Sequence, residues 1–365
     1  MKIQGVKYVC SRGTSGYAEA AKDYIIGLHS KNIPISVKHL ICDDSIYQIG
    51  ERNEIVNSLV DKKINYNKLI LHCTPDHWSK QIKENKKKNT EVIGMTVWET
   101  DKIHPLWTKY INEVDKVIVP CEWNQQVFEN CGVYKPIEVI PHIFHSSPKV
   151  NASIKEIKED EFVFYCINNW TIRKGFEDLI TAYLNEFTSK DKVVLVLKTY
   201  KSAYTQEENQ KIRNIVEDII KKYKTPAKII LLLKQMSDEQ IAGLHNIGHC
   251  FVSLTKAEGF GLGLFEAAGN GIPVICTGYG GQTQFIKDYL IDYKLIPVEG
   301  TPWIKWYKND QHWAQPDINH ASSLMRYVFN NRSESQLAAA YNMRNIEENF
   351  NLKVVTNKLI KFLNE

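Results

Sequence analysis

The stretch "AEGFGLGLFEAAGNGIPVICTGYGG", Ala257 to Gly281, alternates Gly259, Gly261 and Gly263 ahead of an apolar run of helical character. It then runs through a strand-like segment, PVICT (273–277), and ends on GYGG. A glycine-rich loop that enters a helix N-terminus favours an anion, because backbone N–H groups and the helix dipole are both positive there. Two carboxylates, Glu258 and Glu266, stand at the ends of this loop. Negative charge beside a phosphate cradle calls for an explanation. The competing reading is a tight strand-to-helix turn whose glycines serve packing only. With the helix starting near Gly263, Glu266 falls in its first turn and could simply complement the dipole. Glu258 has no such role.

Around this stretch the chain alternates short apolar strands with helices. In the first half the strands are VKYVC (6–10), KLILHC (68–73), EVIGMTVW (91–98) and KVIVP (116–120), and IEVIPHIF (137–144) closes it. Helical spacing marks GYAEAAKDYIIGLHS (16–30), HPLWTKYINEV and EWNQQVFENCG. The polar segment 145–161 breaks the rhythm as a linker. The pattern then restarts with FVFYCIN, KVVLVLKTY, KIILLL, HCFVSL and PVICT. Continuous apolar strands of this length, alternating with helices, predict parallel sheets covered on both faces. Two doubly wound units are expected, with ligands beyond the carboxyl ends of their strands. Past residue 300 the alternation stops: the Trp-rich segment 301–320 reads as irregular, and the last 50 or so residues as helical.

The composition narrows the function. The 365 residues suggest about two domains. A net charge of +4, with both signs interspersed, argues against a nucleic-acid binder. The run Lys86-Lys87-Lys88 reads as a solvated helix end, or at most a peripheral contact with an anionic surface. No apolar run reaches 18 residues and no signal-peptide pattern opens the chain, so a cytoplasmic protein is expected. The eight cysteines form no C-x-x-C pair, and Cys10, Cys73, Cys166, Cys250 and Cys276 fall in or beside strand-like runs, as reduced core thiols do. No cluster has metal-ligand spacing, and "CSRGTSG" after the first strand is not the dinucleotide-binding fingerprint.

A diphosphate that carries sugars resolves the question of the two carboxylates. Carboxylates accept hydrogen bonds and sugar hydroxyls donate them. One carboxylate can hold a hexose and the other a ribose, while the amides between them hold the diphosphate. The phosphate charge then needs cations. "NNWTIRKGFEDLITAY" (168–183) supplies Arg173 and Lys174 between a strand and a helix beginning near Gly175.

Together these motifs resemble the retaining GT-B glycosyltransferases of glycosyltransferase family 4. Glu258 and Glu266 match an E-x7-E motif, and RKGFEDLITAY resembles K-G-x-x-x-L-I. GTSGYAEAAKDYIIGL resembles the family's first glycine-rich loop, and 97–144 resembles the acceptor-domain segment of a subset with a W-E-T motif. The resemblance implies two facing Rossmann-like domains with a ligand cleft between them. Residues 1–148 would form the acceptor-side domain, with a C-terminal helix at about 350–365 packing back on it, and 149–349 the nucleotide-sugar domain.

By the same resemblance Glu258 contacts the transferred sugar, Glu266 the ribose, and Phe260, Gly261, Leu262 and Gly263 present amides. Arg173 and Lys174 neutralise the leaving diphosphate, and Gly13 and Gly16 let the first loop close over the donor. Asn168 and Asn169 stand where the family often has an Arg. Glu99 stands roughly where many members have a His at the end of a strand, and it could orient a donor hydroxyl or act on the acceptor. His72, Asp76 and His77 in LHCTPDHW read as structural or peripheral. The implied reaction moves a hexose, with retention, from GDP-mannose or a UDP-hexose to a glycan, lipid-linked or glycoprotein hydroxyl, with no metal or other cofactor. An inverting transferase, a sugar-nucleotide epimerase and a non-catalytic nucleotide-sugar or glycan-binding module are the alternatives.

Overall fold

The computed structural model describes residues 2–13, 15–40 and 51–365. It divides into two compact units: Met1–Phe144 with Glu348–Glu365, and His145–Glu347. In chain order the first unit carries β1 (Val6–Cys10), α1 (Gly16–Ser30), β2 (Ile35–His39), α2 (Glu51–Ser58), β3 (Lys68–His72) and α3 (Trp78–Asn85). It continues with β4 (Glu91–Met95), α4 (Pro105–Ile111), β5 (Lys116–Val119), α5 (Glu122–Asn130) and β6 (Ile137–Val139). The second unit carries β7 (Phe162–Ile167), α6 (Phe176–Glu186), β8 (Val193–Lys198), α7 (Gln206–Ile220), β9 (Lys228–Leu232) and α8 (Asp238–Ile247). After these come β10 (Cys250–Ser253), α9 (Leu262–Gly269), β11 (Val274–Thr277), β12 (Leu290–Ile291), β13 (Tyr293–Pro297), β14 (His312–Pro316) and α10 (Ile318–Asn330). The helix α11 (Arg332–Asn349) leads to α12 (Leu352–Asn364), which lies in the first unit.

Both large sheets are parallel. The first has the order β2-β1-β3-β4-β5-β6 and the second β12-β11-β10-β7-β8-β9. The inner strands β3, β8, β10 and β11 are buried at every position, as expected for strands covered on both faces. In the second sheet the order reverses between β7 and β10. That switch point is where an open α/β sheet splays its loops apart and leaves room for a ligand. In the first sheet the reversal falls between β1 and β3.

Several sequence expectations need correction. EVIGMTVW is a strand only to Met95. Beyond it the Trp98 amide donates to Asn124 Oδ1 and the Trp98 indole donates to Thr100 Oγ1 and the Lys102 carbonyl, so side chains satisfy the segment in place of a neighbouring strand. Glu99 therefore stands on a loop four residues past the strand end. IEVIPHIF is a strand only over Ile137–Val139. The Trp-rich segment is not wholly irregular, because β14 pairs antiparallel with β13. Trp313 in β14 is buried, whereas Trp303 is exposed.

His72 ends β3 inside the core of the first unit. Its Nδ1 meets the Tyr8 hydroxyl at 2.8 Å, and His142 Nδ1 meets the Tyr24 hydroxyl at 3.1 Å. Burial drives the His72 pKa down to about 3, with the nearby His142 adding to the effect; burial lowers His142 to about 4. Both rings are thus held neutral. In the unfolded chain they bind protons below about pH 6.5, so stability falls as the pH drops below that value. Between pH 6.5 and 5 the loss is about 2 kcal/mol per histidine, from about 1.36 kcal/mol per pH unit. Equilibrium denaturation at pH 7 and pH 5 should show this loss, and His72→Gln should remove roughly half of it. An unchanged pH dependence in the variant would exclude His72 as a source.

Candidate active site

The site assembles at the carboxyl ends of β7 and β10, the two strands that flank the switch point of the second sheet. β7 runs into a short 3₁₀ turn, Ile172–Lys174, which carries Arg173 and Lys174. β10 runs into the loop that carries Glu258, and α9 begins at Leu262 with Gly261 as its N-cap. The two loops are tied through their backbones. The Lys256 amide donates to the Arg173 carbonyl at 2.7 Å. Gly175, at φ +61°, lies so close to the other loop that a Cβ there would stand 2.0 Å from the Leu254 carbonyl oxygen. Only glycine permits that approach. Gly175→Ala is expected to cost about 1–3 kcal/mol from backbone strain alone and to force the loops apart. Thermal denaturation checks this, and an unchanged melting temperature would contradict it.

The end of the quoted stretch supports the same loop. The Gly281 amide donates to the Glu258 carbonyl at 2.8 Å, and a Cβ on Gly281 would lie 2.2 Å from the Gly259 carbonyl oxygen. The glycines of TGYGG therefore brace the Glu258 backbone.

Glu258 is the centre of the constellation and is 6% exposed. Lys174 Nζ donates to its Oε1 at 2.6 Å, and Arg173 Nη1 reaches its Oε2 at 3.3 Å. Thr255 Oγ1 donates to Oε1 at 3.0 Å. Burial alone would raise the carboxyl pKa. The charges of Lys174 and Arg173, with the hydrogen bonds from Lys174 and Thr255, outweigh it and hold the pKa below the usual glutamate value. Glu258 is an anion at neutral pH. Arg173 Nη1 also donates to the Ala257 carbonyl at 2.5 Å, which fixes the guanidinium beside the loop. Thr255 was not among the residues expected from sequence. Its only signal is its place three residues before Glu258.

Glu266 is set apart from this ion cluster. It is the fifth residue of α9, just past the first turn, because the helix starts one residue earlier than expected. The dipole therefore gives it little reason to be acidic. Its side chain is half-exposed, and the nearest cation-capable group is His245, with Nε2 at 3.8 Å from Oε2. Phe260 is buried against Phe265 and Phe285, with ring centroids at 5.0 Å in both pairs. Leu262 and Gly263 form the first turn of α9, whose opening amides lack intrahelical acceptors by construction.

The remaining expected residues belong to the first unit. Gly13 is buried in the loop after β1 at φ +136°, and Gly16 opens α1 at the surface. Glu99 is half-buried on the loop after β4. Thus Arg173, Lys174, Glu258 and the amides near Gly261 share one neighbourhood in the second unit. Gly13, Gly16 and Glu99 lie near the carboxyl ends of the first sheet. Among the described residues no helix is long and apolar enough to cross a membrane.

Comparison with known proteins agrees with the architecture. Residues 149–296 match the family described as Glycosyl transferases group 1. Uncharacterized protein 356 of Sulfolobus islandicus rod-shaped virus 1 is 23% identical over 222 residues, 58% of this chain. That alignment spans 59% of the viral protein's length. A sucrose-phosphate synthase from Thermosynechococcus elongatus superposes with a TM-score of 0.74 at 12% identity, covering 99% of this chain and 98% of that one. Anabaena HepE, solved in complex with UDP-glucose, gives 0.67 at 12% identity, covering 98% and 99%. At these identities the structural likeness carries the fold, which is GT-B, with two parallel-sheet Rossmann-like domains. The matched segment, residues 149–296, holds Arg173, Lys174, Glu258 and Glu266.

Proposed function

We propose that the chain is a retaining hexosyltransferase of the glycosyltransferase family 4 type. It takes a hexose from a nucleoside-diphosphate sugar, GDP-mannose or a UDP-hexose, to a hydroxyl of a glycan, lipid-linked or glycoprotein acceptor in the cytoplasm. The observation that carries this reading is the buried ion cluster of Glu258 with Lys174 and Arg173 at the switch point of the second sheet. A carboxylate there is a pure acceptor for sugar hydroxyls, and the two cations offset the charge that builds on a leaving diphosphate. The match of residues 149–296 to the glycosyl transferases supports it.

In this reading transfer proceeds on the front face through an oxocarbenium-like state. The donor's own diphosphate accepts the acceptor proton as the glycosidic bond breaks, so no protein nucleophile is needed. Positioning and charge stabilisation supply the acceleration. Glu258 holds the hexose, Glu266 the ribose, and the amides of Phe260, Gly261, Leu262 and Gly263 the diphosphate. Lys174 and Arg173 do the work that a divalent cation does elsewhere, and turnover should therefore survive a chelator.

The test is a thermal-shift screen against UDP, GDP, ADP and their sugar conjugates, since a ligand selective for the folded chain raises the melting temperature. The donor so found is then used for transfer, and the product anomer is read by NMR. Retention supports the proposal; inversion would replace it with an inverting mechanism, and binding of no nucleotide would remove it.

A further inference from the structure

We propose that His245 is a positioning residue that holds the Glu266 carboxylate through its Nε2–H, within a relay Tyr165–His245–Glu266. The proposal rests on the reading of Glu266 as the ribose-binding carboxylate.

The three residues come from three elements of the second unit: Tyr165 from β7, His245 from α8 and Glu266 from α9. Tyr165 is fully buried and His245 is 2% exposed. The Tyr165 hydroxyl meets His245 Nδ1 at 2.8 Å. Among the described residues this is the only hydrogen-bond partner of that hydroxyl. A buried phenol that can donate to one atom alone is expected to donate to it, because a buried unpaired O–H is costly. Nδ1 is then the acceptor, and a neutral ring must carry its proton on Nε2.

Nε2 is buried and has no hydrogen-bond partner among the described residues. It faces Glu266 Oε2 at 3.8 Å. That distance is too long for a hydrogen bond, but the Glu266 side chain is half-exposed and a small rotation closes it. The relay is rigid behind this gap. The ring of Tyr165 packs edge-on to His245 with centroids 5.6 Å apart and to Phe251 at 5.1 Å. Gly248 presses on the tyrosine so closely that a Cβ there would lie 2.3 Å from its Cε1. The helix that carries His245 is anchored by a capping box between Ser237 and Gln240. A rigid buried donor facing a half-exposed carboxylate selects one carboxylate orientation, which reduces the freedom lost when a ribose is gripped.

The experiment measures UDP and GDP affinity by calorimetry for the wild type, His245→Phe and His245→Gln, with and without Glu266→Ala. Glutamine can present an N–H where Nε2 stands but cannot accept from Tyr165 in the same way. His245→Phe should weaken nucleotide binding by about tenfold, the scale of one hydrogen bond to a charged group, with kcat little changed. His245→Gln should restore most of the affinity even if it lowers the melting temperature. In the Glu266→Ala background, His245→Phe should have no further effect. Long-range ¹H–¹⁵N spectra should place the His245 proton on Nε2 whether or not nucleotide is present.

A proton on Nδ1, an unchanged affinity in His245→Phe, or an equal loss in the Glu266→Ala background would each overturn the positioning role. Wild-type chain that binds neither UDP nor GDP would instead overturn the nucleotide reading beneath it. The NMR arm still reports on the relay in that case.

Discussion

Lys174→Ala should lower turnover by about 10²–10³, the scale seen when one preorganised charge-stabilising group is removed from a site where charge develops. The expectation follows from where the ammonium is held. Lys174 closes the loop after β7, its Nζ lies 2.6 Å from Glu258 Oε1, and its side chain is only 10% exposed. A cation in such surroundings acts through a lower dielectric than water provides, and its orientation costs nothing at the moment of reaction. The loss should appear in kcat more than in KM, because the leaving diphosphate gains charge as the bond breaks. The substitution also leaves Glu258 with Arg173 and Thr255 as partners, so its carboxyl pKa should rise. Steady-state kinetics with the donor identified by thermal shift decides the matter. Wild-type kcat in Lys174→Ala would show that this lysine serves only the ion cluster, and the assignment of the diphosphate to it would fail.

Much of the fold was legible because a buried parallel strand writes itself as an unbroken apolar run. VVLVLK and FVFYCI admit few other readings, and both are strands of the second sheet. The β2 strand ISVKH was missed, because its alternating polar positions at an edge blur that signal. The hairpin of β13 and β14 was missed for a related reason. Tyr293 and Leu295 are exposed, and proline ends both strands, so nothing in either segment marks a partner about 20 residues away. The individual motifs around Glu258 and Lys174 were readable, but their direct pairing was not. These residues are 84 apart in sequence, and only the strand order, with β7 beside β10, makes them neighbours. Strand order depends on crossover connections that leave no trace in local composition. The same holds for His245, which lies in an ordinary helix and acquires its meaning from Tyr165 and Glu266.

Glu258→Gln and Glu266→Gln should fail in different ways, although the two residues bracket one loop. Glu258 lies against two cations with 6% of its surface exposed, so the neutral amide leaves Lys174 and Arg173 without their shared counter-charge. Removing one partner of a buried ion pair costs on the order of 3 kcal/mol. The folded-state pKa of Glu258 lies below its ordinary value, so its stabilisation is complete above about pH 4.5 and is lost as the pH falls through the lowered pKa. The stability gap between wild type and Glu258→Gln should therefore narrow in acid. The acid sensitivity of His72 and His142 is common to both proteins and cancels in the difference. In function, Glu258→Gln should keep or tighten nucleoside-diphosphate binding, since a carboxylate beside the phosphates is gone. Transfer should fall steeply, because the hexose is no longer held. Glu266 is half-exposed and outside the ion cluster, so Glu266→Gln should leave stability nearly unchanged. It should weaken nucleoside-diphosphate binding by about 1–3 kcal/mol through the loss of a charged hydrogen bond. Calorimetric titration of both variants, followed by transfer assays, separates the two roles. If Glu258→Gln loses nucleotide affinity while Glu266→Gln keeps it, the sugar and the ribose change places in the site. If neither variant alters binding or transfer, the loop is a packing turn, and the two carboxylates need another cause.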